Sequence, residues 1–208
     1  MSNLLYIEAS PRKERSYSIA VAKEFLQAYR AAHPNEVIET IDLWNYALPE
    51  FNGYVINAKY RILAGQEHTE EEAAAWQAVV DVCNQFSSAD KYLLSLPMWN
   101  FSIPYKLKHY LDVLVQPGLT FSYSPQTGYK GLLEGKKAAV IYARGGEYDA
   151  DVTKALDMQT SYIELILGFI GIKEIHSIKV DPTTAPGERF SQRFEAAKRQ
   201  ACELAVNF

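Results

Sequence analysis

Apolar positions along this chain fall into two alternating kinds of segment. Short runs that are apolar for most of their length occur at Leu4–Ala9, Val37–Leu43, Lys91–Leu96, Lys137–Tyr142 and Glu174–Val180. Each is bounded by Pro, Gly or polar residues, as strands are. Between them lie stretches whose apolar residues recur every three or four positions, the period of a helix with one face in a core. Ser16–His33 carries Val21, Phe25, Ala28 and Ala32 in that way, and Pro34-Asn35 ends it. Thr69-Glu70-Glu71-Glu72 reads as a capping box, a hydroxyl followed three residues later by a carboxylate that reaches back. The helix behind it sets Ala73, Trp76, Val80 and Cys83 on one face, with Val79 and Phe86 beside them. Pro104–Val115 is a helix opened by proline, which suits a first-turn position. A helix follows from Val152 to about Phe169, and the last one carries Phe190, Phe194, Ala197, Ala201 and Leu204. Trp44 to Gly65 shows no clean period and reads as loop with short helical pieces; Gln116 to Gly135 reads as an excursion holding a hairpin.

Five strands alternating with five helices predict an α/β fold, a parallel sheet covered by helices on both faces. Right-handed crossovers leave few arrangements. One is the flavodoxin-like three-layer fold with strand order 2-1-3-4-5, in which ligands bind beyond the carboxyl ends of the strands. That rule singles out Ser10–Ser18, Pro97–Pro104 and Ala143–Tyr148.

Composition narrows the reading further. The chain has 208 residues and a formal charge of -4 with both signs dispersed, which fits one domain over 1–208 and no nucleic-acid surface. Cys83 and Cys202 are far apart in helical segments, so both are expected to be reduced and core-facing in a cytoplasmic protein. The first apolar run stops at Glu8, too short for a signal peptide, and no stretch reaches the about 18 apolar residues of a membrane helix. His33, His68, His109 and His176 are scattered without metal-ligand spacing, so no metal is expected. Neither a G-x-S-x-G elbow nor a G-x-G-x-x-G turn occurs, and Gly131–Lys137 falls one residue short of a phosphate-binding P-loop.

The three loops carry the candidate chemistry. Ser10-Pro11-Arg12-Lys13-Glu14-Arg15-Ser16-Tyr17-Ser18 enters a helix, whose unpaired N–H groups favour an anion. Its serine hydroxyls add donors, and Arg12 or Arg15 offers a fork, which suits a monophosphate better than a pyrophosphate. Pro97-Met98-Trp99-Asn100-Phe101-Ser102-Ile103-Pro104 places large apolar side chains where surface loops carry small polar ones. A flat aromatic ligand would lie there with Asn100 at its polar edge. Ala143-Arg144-Gly145-Gly146-Glu147-Tyr148 has paired glycines that permit close backbone approach. The plainer alternative for each is an ordinary polar or aromatic turn.

With Ser-Pro-Arg and Ser-x-Ser, the run Pro-Met-Trp-Asn-Phe-Ser-Ile-Pro-x-x-Leu-Lys, Pro-Gly-x-Thr-Phe, Arg-Gly-Gly and Gly168-Phe169-Ile170-Gly171, the sequence resembles the FMN-dependent NADH-azoreductase (quinone oxidoreductase) family. The resemblance implies FMN as cofactor, NADH or NADPH as electron donor, a quinone or azo compound as acceptor, a ping-pong cycle and a homodimer. FMN would carry the redox chemistry, and no side chain is assigned as acid or base. The FMN phosphate would meet Ser10 and Ser16-Tyr17-Ser18, with Arg12 beside it. The ring system would lie along Pro97, Met98, Trp99, Asn100 and Phe101, closed by Ala143, Arg144, Gly145 and Gly146. Phe121 and Tyr123 would line the acceptor pocket. Where the family usually has serine before Arg-Gly-Gly this chain has Ala143, and Glu8-Ala9 stands where a glycine would precede Ser10. The rival reading is a flavodoxin-type electron carrier, which would usually present a strongly acidic face.

Overall fold

The computed structural model describes residues 3–185 and 187–208. In chain order the elements are β1 (Asn3–Glu8), a 3-10 turn (Lys13–Arg15), α1 (Tyr17–Ala32), β2 (Val37–Asp42), α2 (Gly53–Leu63), α3 (Glu70–Ser88) and β3 (Lys91–Pro97). Then come α4 (Tyr105–Leu114), β4 (Phe121–Ser124), β5 (Gly128–Gly131), β6 (Lys137–Ala143), α5 (Asp151–Lys154), α6 (Met158–Phe169), β7 (Glu174–Val180) and α7 (Glu188–Val206).

The main sheet has five strands in the order β2-β1-β3-β6-β7, all paired in parallel; β4 and β5 form a separate antiparallel hairpin. Side chains alternate across this sheet, as the pleat requires. Leu5, Ile7, Tyr92, Leu94, Leu96, Val140 and Tyr142 face a core completed by α3, α4 and α6. Leu4, Tyr6, Leu93, Ala139 and Ile141 face a second core completed by α1 and α7. Burial on both faces explains why the strands read as unbroken apolar runs.

Local signals hold where they are complete. Ser16 caps α1 by accepting from Ile19 N at 3.5 Å. In the capping box Thr69 Oγ1 accepts from Glu72 N at 3.2 Å, and Glu72 Oε2 accepts from Thr69 N at 3.0 Å. Arg61 Nε also reaches Glu72 at 3.1 Å and so ties α2 to α3.

Five expectations change. Residues 44–65 contain an 11-residue helix, α2, which buries only Val55 and Ala58 and therefore shows no apolar period. The helix expected from Val152 to Phe169 is broken after Lys154, because Asp157 turns back to cap α6 through Thr160 N at 2.9 Å. On α3, Val79, Cys83 and Phe86 are buried as expected, but Glu72 and Val82 complete the face in place of Ala73, and the α1 stripe continues through Tyr29 while Ala32 is exposed. Cys83 is buried, its thiol 3.4 Å from Leu114 O, and burial pushes its pKa up to about 12. Cys202, expected to face the core, is half-buried on α7.

The hairpin is seated by close approach. At Gly131 the chain passes the backbone of Gly171 so tightly that a Cβ would lie 2.3 Å from Gly171 N. Leu133 N donates to Ile170 O at 2.9 Å, and the Leu133 side chain enters the first core at 4% exposure.

Candidate functional site

The first loop starts from the pinned ends of two strands. Lys13 adopts φ +49, a strained conformation for a side chain with a Cβ. Its Nζ lies 2.6 Å from Glu8 and pairs also with Asp42, so one ammonium joins the carboxyl ends of β1 and β2. Burial alone would raise the Asp42 carboxyl; hydrogen bonds from Lys13, Trp44 N and Asn45 outweigh it and hold the group below its ordinary value. Ser10, Ser16 and Ser18 are all buried. Ser10 Oγ accepts from Arg12 N at 3.4 Å, and Ser16 and Ser18 share a hydrogen bond of 3.2 Å. Tyr17 N and Ser18 N have no partner among the described residues, and they sit at the positive end of α1. Arg12 and Arg15 are exposed with no ion pair among the described residues. The Tyr17 ring turns away, packing edge-on against Phe190 and Phe194 at 4.9 and 5.4 Å, so that residue offers its backbone alone.

The second loop is a strained reversal. Asn100 and Phe101 have φ +48 and +68, and Trp99 and Ser102 exchange N–H···O bonds of 2.9 Å on either side of them. This is the geometry of a two-residue hairpin turn with both central residues left-handed. Asparagine tolerates that region, whereas phenylalanine there is an outlier of the kind that clusters at ligand sites. Trp99, Asn100 and Phe101 are all exposed. Pro97 pairs with Ala143 across the sheet, and Met98 N donates to Ala143 O at 2.8 Å, so the second and third loops share a hydrogen bond.

The third loop differs from expectation in one respect. Arg144 does not present its guanidinium to the site; the side chain is wholly buried and bonded to Asp157 and Asp181. Pairing with two carboxylates inside the protein outweighs exposure to a ligand. What remains at the surface is the backbone of Gly145, Gly146 and Glu147, whose N–H groups have no partner among the described residues.

Two further side chains join these loops, Trp44 from outside them and Tyr148 from the end of the third. Trp44, just beyond β2, donates through Nε1 to Ala9 O at 3.0 Å, and its ring lies 5.8 Å from Trp99 and 5.4 Å from Tyr105. Tyr148 meets Phe101 edge-on at 6.4 Å and lies under the Arg144 guanidinium at 5.3 Å. Beside Trp99 and Asn100 opens a cleft of about 770 Å³, walled also by Phe51, Tyr105, His109 and Tyr162. His109 Nε2 is bonded to Pro49 O at 2.9 Å. Phe121 and Tyr123 are not among the cleft's walls; on the hairpin their rings meet Phe169 and Tyr129 at 4.8 and 5.0 Å.

The donor set fits a flat ligand that carries one phosphate. Unspent N–H groups stand at the start of α1 and at the Gly-Gly turn, with an exposed aromatic loop between them. No group of three or more His, Cys, Asp or Glu that could hold a metal ion occurs among the described residues. No helix among them is long and apolar enough to cross a membrane.

Known proteins match this chain along its whole length. Residues 2–205 match the family described as having the flavodoxin-like fold. The FMN-dependent NADH:quinone oxidoreductase of Desulfotalea psychrophila is 51% identical over 205 residues, covering 99% of this chain and 97% of that protein. The same-named protein of Nitratidesulfovibrio vulgaris is 45% identical over 210 residues, the full length of both. The solved structure of an FMN-dependent NADH-azoreductase from Bacillus anthracis in complex with FMN superposes with a TM-score of 0.87 at 32% identity, covering 99% of this chain and 100% of that one.

Proposed function

The chain belongs to the flavodoxin-like family of FMN-dependent NADH:quinone oxidoreductases, and on that premise we propose that it is an FMN enzyme passing hydride from NADH to quinones and, by the same route, to azo compounds. The observation that carries the proposal is the convergence of unspent backbone donors, at Tyr17–Ser18 and Gly145–Glu147, on either side of the exposed Trp99-Asn100-Phe101 turn. Bound FMN would supply the two-electron redox chemistry.

The protein's part is binding, orientation and exclusion of water. The N–H groups of Tyr17 and Ser18, the hydroxyls of Ser10 and Ser16 and the free Arg12 would hold the phosphate. Pro97 to Phe101 would form the floor for the ring, and the N–H groups of Gly145 to Glu147 would close its polar edge. With Ala143 in place of a serine, and its carbonyl already bonded to Met98 N, that position offers no side-chain hydrogen bond. Trp44, Trp99 and Tyr105 make an aromatic wall beside that floor, and NADH and acceptor would use the same face of the flavin in turn, a ping-pong order. A quinone needs one such exchange; cleavage of an azo bond to two amines needs two.

Exposed Tyr54, Tyr60 and Leu63 on α2 and Tyr123 and Tyr129 on the hairpin leave large apolar groups in water, which supports the pairing of two copies. Phe121 and Tyr123 would then serve as interface residues.

Anaerobic spectroscopy tests the proposal. Purified protein is expected to be yellow, or to become so with added FMN, and to bleach with NADH; a preparation that takes up no FMN refutes it. A yellow protein that NADH does not bleach points to an electron carrier. Asn100→Ala is expected to weaken FMN retention more than Asn84→Ala, a change on the exposed side of α3; equal effects would mean the ring lies elsewhere.

A further inference from the structure

The ion cluster behind the third loop rests on that reading and extends it to residues that line no ligand. Arg144 is the bulkiest of the wholly buried side chains. Its Nε donates to Asp181 Oδ2 at 3.0 Å, its Nη2 bonds the same oxygen, and its Nη1 donates to Asp157 Oδ2 at 2.7 Å. Asp181 is wholly buried and Asp157 nearly so. Apolar residues of equal volume would often fill such a space with equal or greater stability. What the ions add is a fixed geometry among three elements. Arg144 follows β6, Asp181 follows β7, and Asp157 caps α6.

The backbone around Arg144 has a one-sided pattern. Ala143 O accepts from Met98 N, Arg144 O from Thr183 N at 2.8 Å, and Gly145 O from Thr184 N and Oγ1 at 3.3 and 2.7 Å. Arg144 N donates to Val180 O at 3.0 Å. The next three N–H groups, of Gly145, Gly146 and Glu147, are free among the described residues. On the outer side Glu147 is held by Arg193 at 2.6 Å and Arg189 at 2.8 Å, both from α7. Every carbonyl from 143 to 145 is thus tied back, while the donors that follow face no partner of their own.

We propose that Arg144 is a positioning residue: the Arg144–Asp157–Asp181 clamp fixes the Gly145-Gly146-Glu147 backbone as an array of donors for the polar edge of the flavin. The fork of a guanidinium is what the clamp needs, since it must reach two carboxylates from one side chain.

Two variants separate this role from general stability. Arg144→Lys keeps the charge and loses the fork. Asp157→Asn keeps a good cap for α6 and removes one ionic arm. The readouts are the FMN dissociation constant, from titration of the apoprotein against FMN fluorescence, and amide exchange at Thr183 and Thr184. Arg144→Lys is expected to raise the FMN dissociation constant about tenfold, the equivalent of one or two lost hydrogen bonds, and Asp157→Asn about threefold. Exchange at Thr183 and Thr184 is expected to quicken in both. FMN affinity within about twofold of wild type in folded variants overturns the inference, as does unchanged exchange. If Arg144→Lys fails to fold, Asp157→Asn decides alone. Failure of the wild type to bind FMN overturns the functional reading and the inference together; binding by the wild type with unaltered affinity in the variants overturns the inference alone.

Discussion

A methyl group added at Gly131 tests how the hairpin is held to the sheet. The new Cβ would stand 2.3 Å from Gly171 N, 2.4 Å from Ile170 C and 2.6 Å from Gly171 Cα, all backbone atoms that no rotamer change moves. Ordinary contact needs about 3.5–4.0 Å, so the two chains must part by about 1 Å or more. That separation stretches the 2.9 Å bond from Leu133 N to Ile170 O and draws Leu133 from the core. Overpacking costs about 1–3 kcal/mol, and leaving a buried backbone group unpaired costs about 1–3 kcal/mol more. The sum centres near 4 kcal/mol, which lowers Tm by about 8–16 °C in a chain of this size. Gly118→Ala is the control, because Gly118 has φ +79 with nothing within 4 Å of the added atom. It carries only left-handed strain, about 1–2 kcal/mol. Gly168→Ala, within α6 and also open, is expected to stabilise by about 0.5–1 kcal/mol. Calorimetry and urea unfolding of the three apoproteins give the ranking. A Gly131→Ala protein no less stable than Gly118→Ala would refute the argument that backbone contact seats the hairpin.

Asp42→Asn is expected to lower stability by less than about 1 kcal/mol near neutrality, since the Lys13–Asp42 pair is partly exposed. Asp42 has a depressed pKa in the fold, so its contribution is whole above the unfolded value near pH 4 and fades as pH falls through the folded value. Urea titrations of the two proteins should therefore converge in acid; a gap that widens there would reverse the sign and refute the assignment. Thr69→Ala removes one arm of the capping box and is expected to cost about 1 kcal/mol, read from the urea midpoint at unchanged slope. Trp44→Phe keeps an aromatic ring and loses the Nε1 bond to Ala9 O; FMN affinity should fall severalfold with little change in Tm, and an unaltered affinity would remove Trp44 from the site. Native protein should label with a thiol reagent at Cys202 before Cys83, and mass spectrometry of the first modified species checks the order.

The parts legible in the sequence are those whose cause is local. Strand segments buried on both faces announce themselves as apolar runs, and the capping box is complete within four residues. The α2 helix was illegible because it spends its apolar residues on the surface, burying Val55 and Ala58 while Tyr54, Tyr60 and Leu63 stay exposed. On α3 the burial of Val79, Cys83 and Phe86 is legible in the period, but Ala73 gives way to Glu72, a charged residue buried by its bonds to Thr69 and Arg61. At the site, the loops themselves follow from strand order, but side-chain direction does not. Arg144 turns inward because its partners are 13 and 37 residues away, and Tyr17 because α7 supplies Phe190 and Phe194. Trp44 carried a usable signal: it lies at the carboxyl end of a sheet strand, the same criterion that selected the other three loops.

The environment of Cys83 bears on the proposed use of quinones as acceptors. Quinones are electrophiles that add to thiolates, and thiol reactivity tracks the ionised fraction and access. Cys83 lies beneath α4 with two backbone carbonyls around its sulfur and its ionisation displaced to about 12, so at physiological pH it is neutral and walled off. Cys202, also pushed up by burial, sits on α7, across the sheet from the cleft between α4 and α6. On the proposed chemistry, a thiol-seeking compound held against the aromatic wall meets neither sulfur there: Cys83 is sealed in the core, and Cys202 lies on the far face of the sheet.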